Sequence, residues 1–494
     1  MKFNTKKSES DRLMARPDFC QNEDGGIAFR PDLKTELMLR TVSSLISEDG
    51  FYKKGTALNS DLRDTIHAVA KEDPEFILKL ALYARSQMHL RSVPIVLMGE
   101  FAISAGKGTV ENASRYIAET IQRPDEITEL IAYVQAQNRH YKGKMPMMIK
   151  KGIRQAFGKF DAYQLAKYNR PGEVTLRDAM FMTHPKPKND TQAKTYADLA
   201  AGTLASADTW EHAISTQGST KEAWEQIIPK MGYMALLRNL RNFLDKGVDM
   251  RPVLNRITNP AAVMKSKQFP FRFWSAYKEV QGRSDSGNVL DALSDAADVS
   301  VQNVPKFPGV TFVTCDVSGS MSTPISNKST VQMAEIGCMF GAMVHTMAEN
   351  AIISVFGDEH QVVSLSRRDS LFTNTVKLRK TPVGISTNAH LAIEHLLKNK
   401  KKVDRIIIFS DMQCYDTHRY NRSVAENIRK YRREINQGVY IYSFDLANYG
   451  TTQIPNDDPR TCLAGGFSDH VLQFIPLFES SKEDMLSEIE RVSV

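Results

Sequence analysis

The chain has 494 residues, 42% of them apolar and 24% charged, and a formal charge of +7. That length exceeds one compact core, and the composition is that of a globular protein. The longest apolar runs are far short of a membrane span, and the opening MKFNTKKSES has no hydrophobic signal core. Five scattered cysteines without a C-x-x-C pair exclude a disulfide framework and a zinc site, and point to a reducing, cytoplasmic setting.

In chain order, residues 1–30 read as a polar arm with little structure, broken at Gly25-Gly26. From Lys34 to about Val301 helix follows helix, and no strand pattern appears before Val310. Clear helices are expected at 74–90, 93–105, 110–122, 124–137 and 147–160, with apolar residues recurring at three and four as in Phe76, Leu80, Tyr83 and Ala84. Helices of similar length joined by short loops predict an α-solenoid of degenerate, HEAT-like repeats. A proline-flanked linker near Ser300–Pro308 ends this half, giving domains of 1–305 and 306–494.

Charge divides along the same line. From Lys306 onward 21 basic residues face 21 acidic ones, so the whole +7 belongs to residues 1–305. Residues 139–188 hold 12 Lys and Arg against Asp161, Glu173 and Asp178, a local +9. Such asymmetry calls for a polyanionic partner. Lys150, Lys151 and Arg154 share a helical turn, and Lys167, Arg170, Arg177, Lys186 and Lys188 follow. Together they suit phosphate neutralisation. The interleaved Tyr141, Phe160 and Tyr168 either stack on unpaired bases or serve as core.

After the linker the pattern alternates as in a doubly wound α/β domain. Strands are expected at 310–314, 351–356, 361–365, 405–410, 438–444 and 471–475, and helices at 330–348, 389–398, 420–436 and 482–492. The first strand runs into Asp316, Ser318 and Ser320, alternate residues that make a hard, all-oxygen cluster suited to Mg²⁺ or Mn²⁺. The same pentapeptide also fits an ordinary turn with a helix cap. Downstream, Thr387 lies in a Gly-containing loop and Asp411 ends a second apolar strand. Asp316, Ser318, Ser320, Thr387 and Asp411 together resemble the metal-ion-dependent adhesion site of von Willebrand factor A domains. The resemblance implies direct ligation by Ser318 and Ser320, and a coordination position open to a partner's carboxylate or to solvent.

The helical half carries a second resemblance. TVSSLISEDGFYKKG, LALYARSQMHLRSVPIVLMGEFA, KYNRPGEVTLRDAMFMTHPKP and IIPKMGYMALLRNLRNF are similar, in that order, to stretches of the Ro autoantigen family of TROVE-module proteins. That family implies a ring of HEAT-like repeats closed by the A domain. It binds the single-stranded 3′ ends of misfolded small RNAs, and structured Y RNAs on its basic face. It is linked to RNA quality control and to a ribonuclease or other protein partner. Lys167, Arg170 and His184 match the family's RNA-contacting positions, and Lys150 and Arg154 join them on charge. The reading is therefore a monomeric, non-membrane RNA-binding protein with a bound Mg²⁺. The alternative is a metal-dependent protein-binding scaffold without RNA, which gives no reason for the +9 stretch. An enzyme is not expected: no G-x-S-x-G elbow is present, and Asp316 with Asp411 supplies too few carboxylates for two metals.

Overall fold

The computed structural model describes residues 19–21, 27–29, 33–43, 55–105, 108–138, 144–205, 207, 209–325, 329–413, 423–447, 453–454, 458, 460–465, 472, 474–480 and 482–494. They form two compact units, Ser60–Lys230 with Glu483–Val494, and Met1–Asn59 with Met231–Lys482.

The first unit is helical, and short polar signals set its helix ends. Asp73 accepts from Phe76 N ahead of helix Pro74–Ser86, whose first residue is a proline. Reciprocal capping boxes, Asp161 with Gln164 and Thr175 with Asp178, start helices Ala162–Tyr168 and Leu176–Thr183. Helix Ser92–Ser104 is the hydrophobic centre, burying Val93, Leu97, Met98 and Phe101. It also buries Glu100, whose carboxylate accepts from Tyr133 Oη and meets His67 Nε2 at 2.6 Å. A second buried pair, Arg85 with Glu126 at 2.8 Å, ties helix Pro74–Ser86 to Pro124–Asn138. The end of the chain packs here too: Lys79 Nζ donates to Glu490 O at 2.8 Å, and Tyr116 Oη to Val492 O at 3.2 Å.

The second unit holds a six-stranded sheet in the order β5-β4-β3-β6-β7-β8, formed by His360–Val362, Ala348–Phe356, Phe307–Asp316, Arg405–Ser410, Tyr440–Asp445 and Thr461–Gly465. All neighbours are parallel except β4 with the edge strand β5. This is a doubly wound sheet whose order reverses at β3. Every residue of β6 is buried, as expected of a central parallel strand. β3 begins at Phe307, before the expected start at Val310, through an irregularity between Phe307 and Val310. Gly309 has φ +76, and a Cβ there would strike the Asp404 carboxylate, which accepts from Val310 N at 2.7 Å.

The helices after Met231 share this unit. Phe271 packs edge-on to Phe340 at 5.9 Å, Trp274 meets Phe372 at 4.8 Å, and Lys278 Nζ reaches Glu335 at 3.0 Å. The linker near Pro305 therefore marks a change of secondary-structure class and not a break in packing.

Three expectations are corrected. Residues 1–30 are not wholly unstructured: Phe19–Gln21 (β1) and Ile27–Phe29 (β2) pair antiparallel, in strands too short to show alternation. Of the expected strand at 471–475, residues 474 and 475 instead open helix Phe474–Ser480, with Leu472, Ile475 and Phe478 buried at helical spacing, and the last strand among the described residues is the Gly-ended Thr461–Gly465. Helix Leu371–Arg379 was not expected, because its Thr, Asn and Val are poor helix formers. A Ser370 cap and the packing of Phe372 on Trp274 and Tyr277 decide it.

Candidate functional sites

At the carboxyl edge of the sheet, Asp316 ends β3 and Asp411 follows the last residue of the adjacent β6. Asp316, Ser318, Thr387 and Asp411 are buried, and Ser320 is half-buried. Asp316 Oδ1 accepts from Ser318 N at 2.9 Å and Oδ2 from Ser410 Oγ at 2.6 Å. Ser318 Oγ lies 3.5 Å from Ser320 Oγ, and Asp411 Oδ1 accepts from Gln413 N at 3.2 Å. Burial first, and the Asp411 carboxylate second, push Asp316 up to about 7, against the hydrogen bonds from Ser318 and Ser410.

The Thr387 loop is anchored to this edge by hydrogen bonds on either side of Ile385. Gly319 N donates to Ile385 O at 2.9 Å, while Asp358 accepts from Ile385 N and Ser386 N at 3.0 and 3.3 Å. The Ser386 side chain first, and these backbone hydrogen bonds after it, hold Asp358 below the usual carboxylate range. Gly384, at φ +83, leaves room for the same carboxylate, which any Cβ would strike. Ile385 is 77% exposed at the rim. Among the described residues no cluster of three or more His, Cys, Asp and Glu is placed to hold a metal. The donor set here is instead two carboxylates with hydroxyls, and a buried carboxylate raised by its neighbour fits a hard divalent cation.

The basic segment lies in the helical unit. Arg154, exposed on helix Met147–Phe157, donates through Nε to Thr183 O at 2.7 Å. That brings it beside His184, which is exposed and ends helix Leu176–Thr183 in the left-handed conformation at φ +50. Lys150 is half-buried one turn before Arg154. Lys167 Nζ lies 6.0 Å from the Tyr163 ring and 5.6 Å from the Tyr168 ring, and Arg123 covers Tyr168 at 4.3 Å. Arg170 is exposed and meets Glu211 at 3.7 Å. Lys159 is diverted: its ammonium donates to Ala118 O at 2.7 Å at the end of helix Ala113–Thr120, and burial lowers its pKa.

The aromatics sort differently from the sequence pattern. Phe160 is buried and belongs to the core, and Tyr141 lies outside the described residues. Among the described residues of the stretch, the exposed rings are Tyr163 at 54% and Phe181 at 53%, the second with Arg177 at 5.7 Å over its face. A signal for both was present. Helix Leu176–Thr183 buries Leu176, Ala179, Met180 and Thr183, and Phe181 falls off that stripe. Tyr163 likewise misses the position of Leu165, the buried residue of its helix.

The architecture is that of a helical protein joined to a von Willebrand A-type sheet with its carboxylate and hydroxyl edge intact. The TROVE domain model matches residues 32–202 and 200–292, and the Ro60 vWA domain model residues 311–479. The chain belongs to this TROVE and Ro60 family. It is 24% identical over 333 residues to telomerase protein component 1 of Mus musculus and 23% over 330 to that of Rattus norvegicus, covering 50% and 49% of this chain. It spans only 13% and 12% of the length of those relatives. The crystal structure of the Deinococcus radiodurans RO (RSR) protein has a similar fold, with a TM-score of 0.68 and 15% identity over 90% of this chain and 99% of that one.

Proposed function

We propose that this chain is the RNA-binding protein of a Ro-type ribonucleoprotein, which takes single-stranded 3′ ends of misfolded small RNAs and structured Y-type RNAs in RNA quality control. The carrying observation is that Tyr163 and Phe181 are exposed, each with a cation near its ring, inside a +9 stretch. Lys150, Arg154, Lys167 and Arg170 neutralise phosphates, the two rings stack on unpaired bases, and His184 hydrogen-bonds.

The A-type unit holds a Mg²⁺ through Asp316, Ser318, Ser320, Thr387 and Asp411. A hard divalent cation there would neutralise the buried carboxylates and would serve to capture water or the carboxylate of a protein partner, a ribonuclease among the candidates. The chain acts by binding, as a cytosolic monomer; among the described residues no helix is long and apolar enough to cross a membrane. A scaffold without RNA leaves the exposed rings of the basic stretch without a role.

Fluorescence anisotropy with a duplex carrying a single-stranded 3′ overhang, against the same duplex blunt, tests the reading. The overhang is expected to bind at least tenfold more tightly. Equal affinities would remove the 3′-end specificity.

A further inference from the structure

We propose that a cleft in the second unit, lined by Arg238, Arg241 and Arg272, binds a phosphate ester of nucleotide size. Helix Tyr233–Asp245 buries Leu236, Leu240 and Phe243 and turns Arg238 and Arg241, three residues apart, to its other side. Facing them, helix Pro270–Val280 offers Arg272, Ser275 and Glu279 along one stripe, and Thr330 adds a third wall from the segment before helix Met333–Met347. The cavity measures about 810 Å³, within the range of small-ligand sites.

Its chemistry selects an anion. Three guanidinium groups oppose one carboxylate, Glu279, which already engages Arg241 at 3.1 Å. Arg238 is exposed and has no ion pair among the described residues. Its neighbour Asn239 does the structural work of the motif, buried with Nδ2 donating to Ala235 O at 2.8 Å and Oδ1 accepting from Asn242 Nδ2 at 2.9 Å. Guanidinium forks match phosphate oxygens two by two, and the Thr330 hydroxyl adds a further donor, while the Ser275 hydroxyl already donates to Phe271 O at 2.9 Å. A solvated charged face would be convex; this one is concave and comes from three separate elements. The inference goes beyond the RNA reading, because none of its residues belongs to the basic stretch of the helical unit.

Calorimetry on the full-length protein tests it with three probes: ADP, inorganic pyrophosphate and a 5′-phosphorylated tetrauridylate. Arg238→Ala with Arg272→Ala, both exposed sites, should weaken binding at least tenfold, as loss of charge-assisted hydrogen bonds does. Glu279→Gln, which frees Arg241, should tighten it about threefold. Lys167→Ala with Arg170→Ala should leave ADP binding unchanged, so failure of the RNA reading and failure of this one are separable. A loss confined to ADP assigns the cleft to a free nucleotide, and a loss confined to tetrauridylate assigns it to a strand end. If no probe loses affinity in the double variant at unchanged melting temperature, the cleft is not an anion site.

Discussion

Ser410 Oγ donates a 2.6 Å hydrogen bond to Asp316 Oδ2, from the last residue of one strand to the last residue of its neighbour. Met412 N donates to the same hydroxyl oxygen at 3.0 Å, so Ser410 is fixed from behind and orients the carboxylate. Groups that orient a metal ligand typically contribute about 10–100-fold to affinity. Ser410→Ala should therefore weaken Mg²⁺ binding about tenfold, and Asp316→Ala should abolish it. Binding to the native state alone raises the melting temperature with metal concentration. Melts in 0 to millimolar Mg²⁺ should show a full rise for the wild type, a rise shifted to higher concentration for Ser410→Ala and none for Asp316→Ala. Identical responses would dispose of the metal assignment.

His360 gives a pH signature. Burial, reinforced by the His395 ring at 5.0 Å, pushes its pKa down to about 4. His395 is itself lowered by burial and by Lys401 and Lys398. With an unfolded value of about 6.5, the unfolded chain binds the extra proton between pH 6.5 and 4. Stability from this group is thus complete above pH 6.5 and falls as pH drops towards 4, by on the order of 1–2 kcal/mol after solvent screening. His360→Gln should flatten that part of the stability profile, read as the difference in melting temperature between variant and wild type from pH 7 to 4.5.

Trp274 packs against Tyr277 at 5.5 Å and Phe372 at 4.8 Å and is 4% exposed. Trp274→Ala should cost about 3–5 kcal/mol by leaving a cavity. Its buried indole N–H finds no hydrogen-bond acceptor among the described residues, so Trp274→Phe sheds a desolvated donor and should cost far less. Urea unfolding of both variants measures the contrast. Equal losses would mean that the specific shape of the indole, and not the ring area it buries, governs this site.

The α/β half was legible because parallel strands such as Arg405–Ser410 are continuous apolar runs, and because the D-x-S-x-S spacing places its donors at a strand end wherever the sheet closes. What joined Thr387 to that edge was less visible: the anchor is Asp358, acting through backbone amides whose partners no spacing announces. In the helical half, charge located the basic stretch but could not separate Lys159, spent on Ala118 O, from Lys167 beside exposed rings. Phe160, a candidate in the sequence for stacking or core, is core, and Phe181 is the exposed ring. The buried stripe of Leu176, Ala179, Met180 and Thr183 decides exposure, and it becomes firm only once the helix limits are known.

The basic stretch makes the most discriminating prediction. If Lys167 and Arg170 both contact phosphate, Lys167→Ala with Arg170→Ala should flatten the log–log salt dependence of single-stranded RNA binding by about 1.4, or 0.7 per contact. Arg170 shares its charge with Glu211 at 3.7 Å, so Glu211→Gln should tighten binding, most visibly at low salt. Phe181→Ala and Tyr163→Ala touch exposed rings, so each should change stability by no more than about 0.5 kcal/mol while losing about 1–3 kcal/mol of affinity per stacked base, with the salt slope unchanged. At position 184 the backbone is left-handed, where most side chains are strained; His184→Asn, which tolerates φ +50, removes the imidazole with less cost to the helix end than His184→Ser. It should lower affinity without altering the slope. The control, Lys400→Ala with Lys401→Ala beyond the end of helix His390–Lys398, removes equal charge from the sheet unit and should leave binding unchanged. Anisotropy from 50 to 300 mM salt separates these cases, because a generic attraction to positive charge would make both double variants lose slope equally.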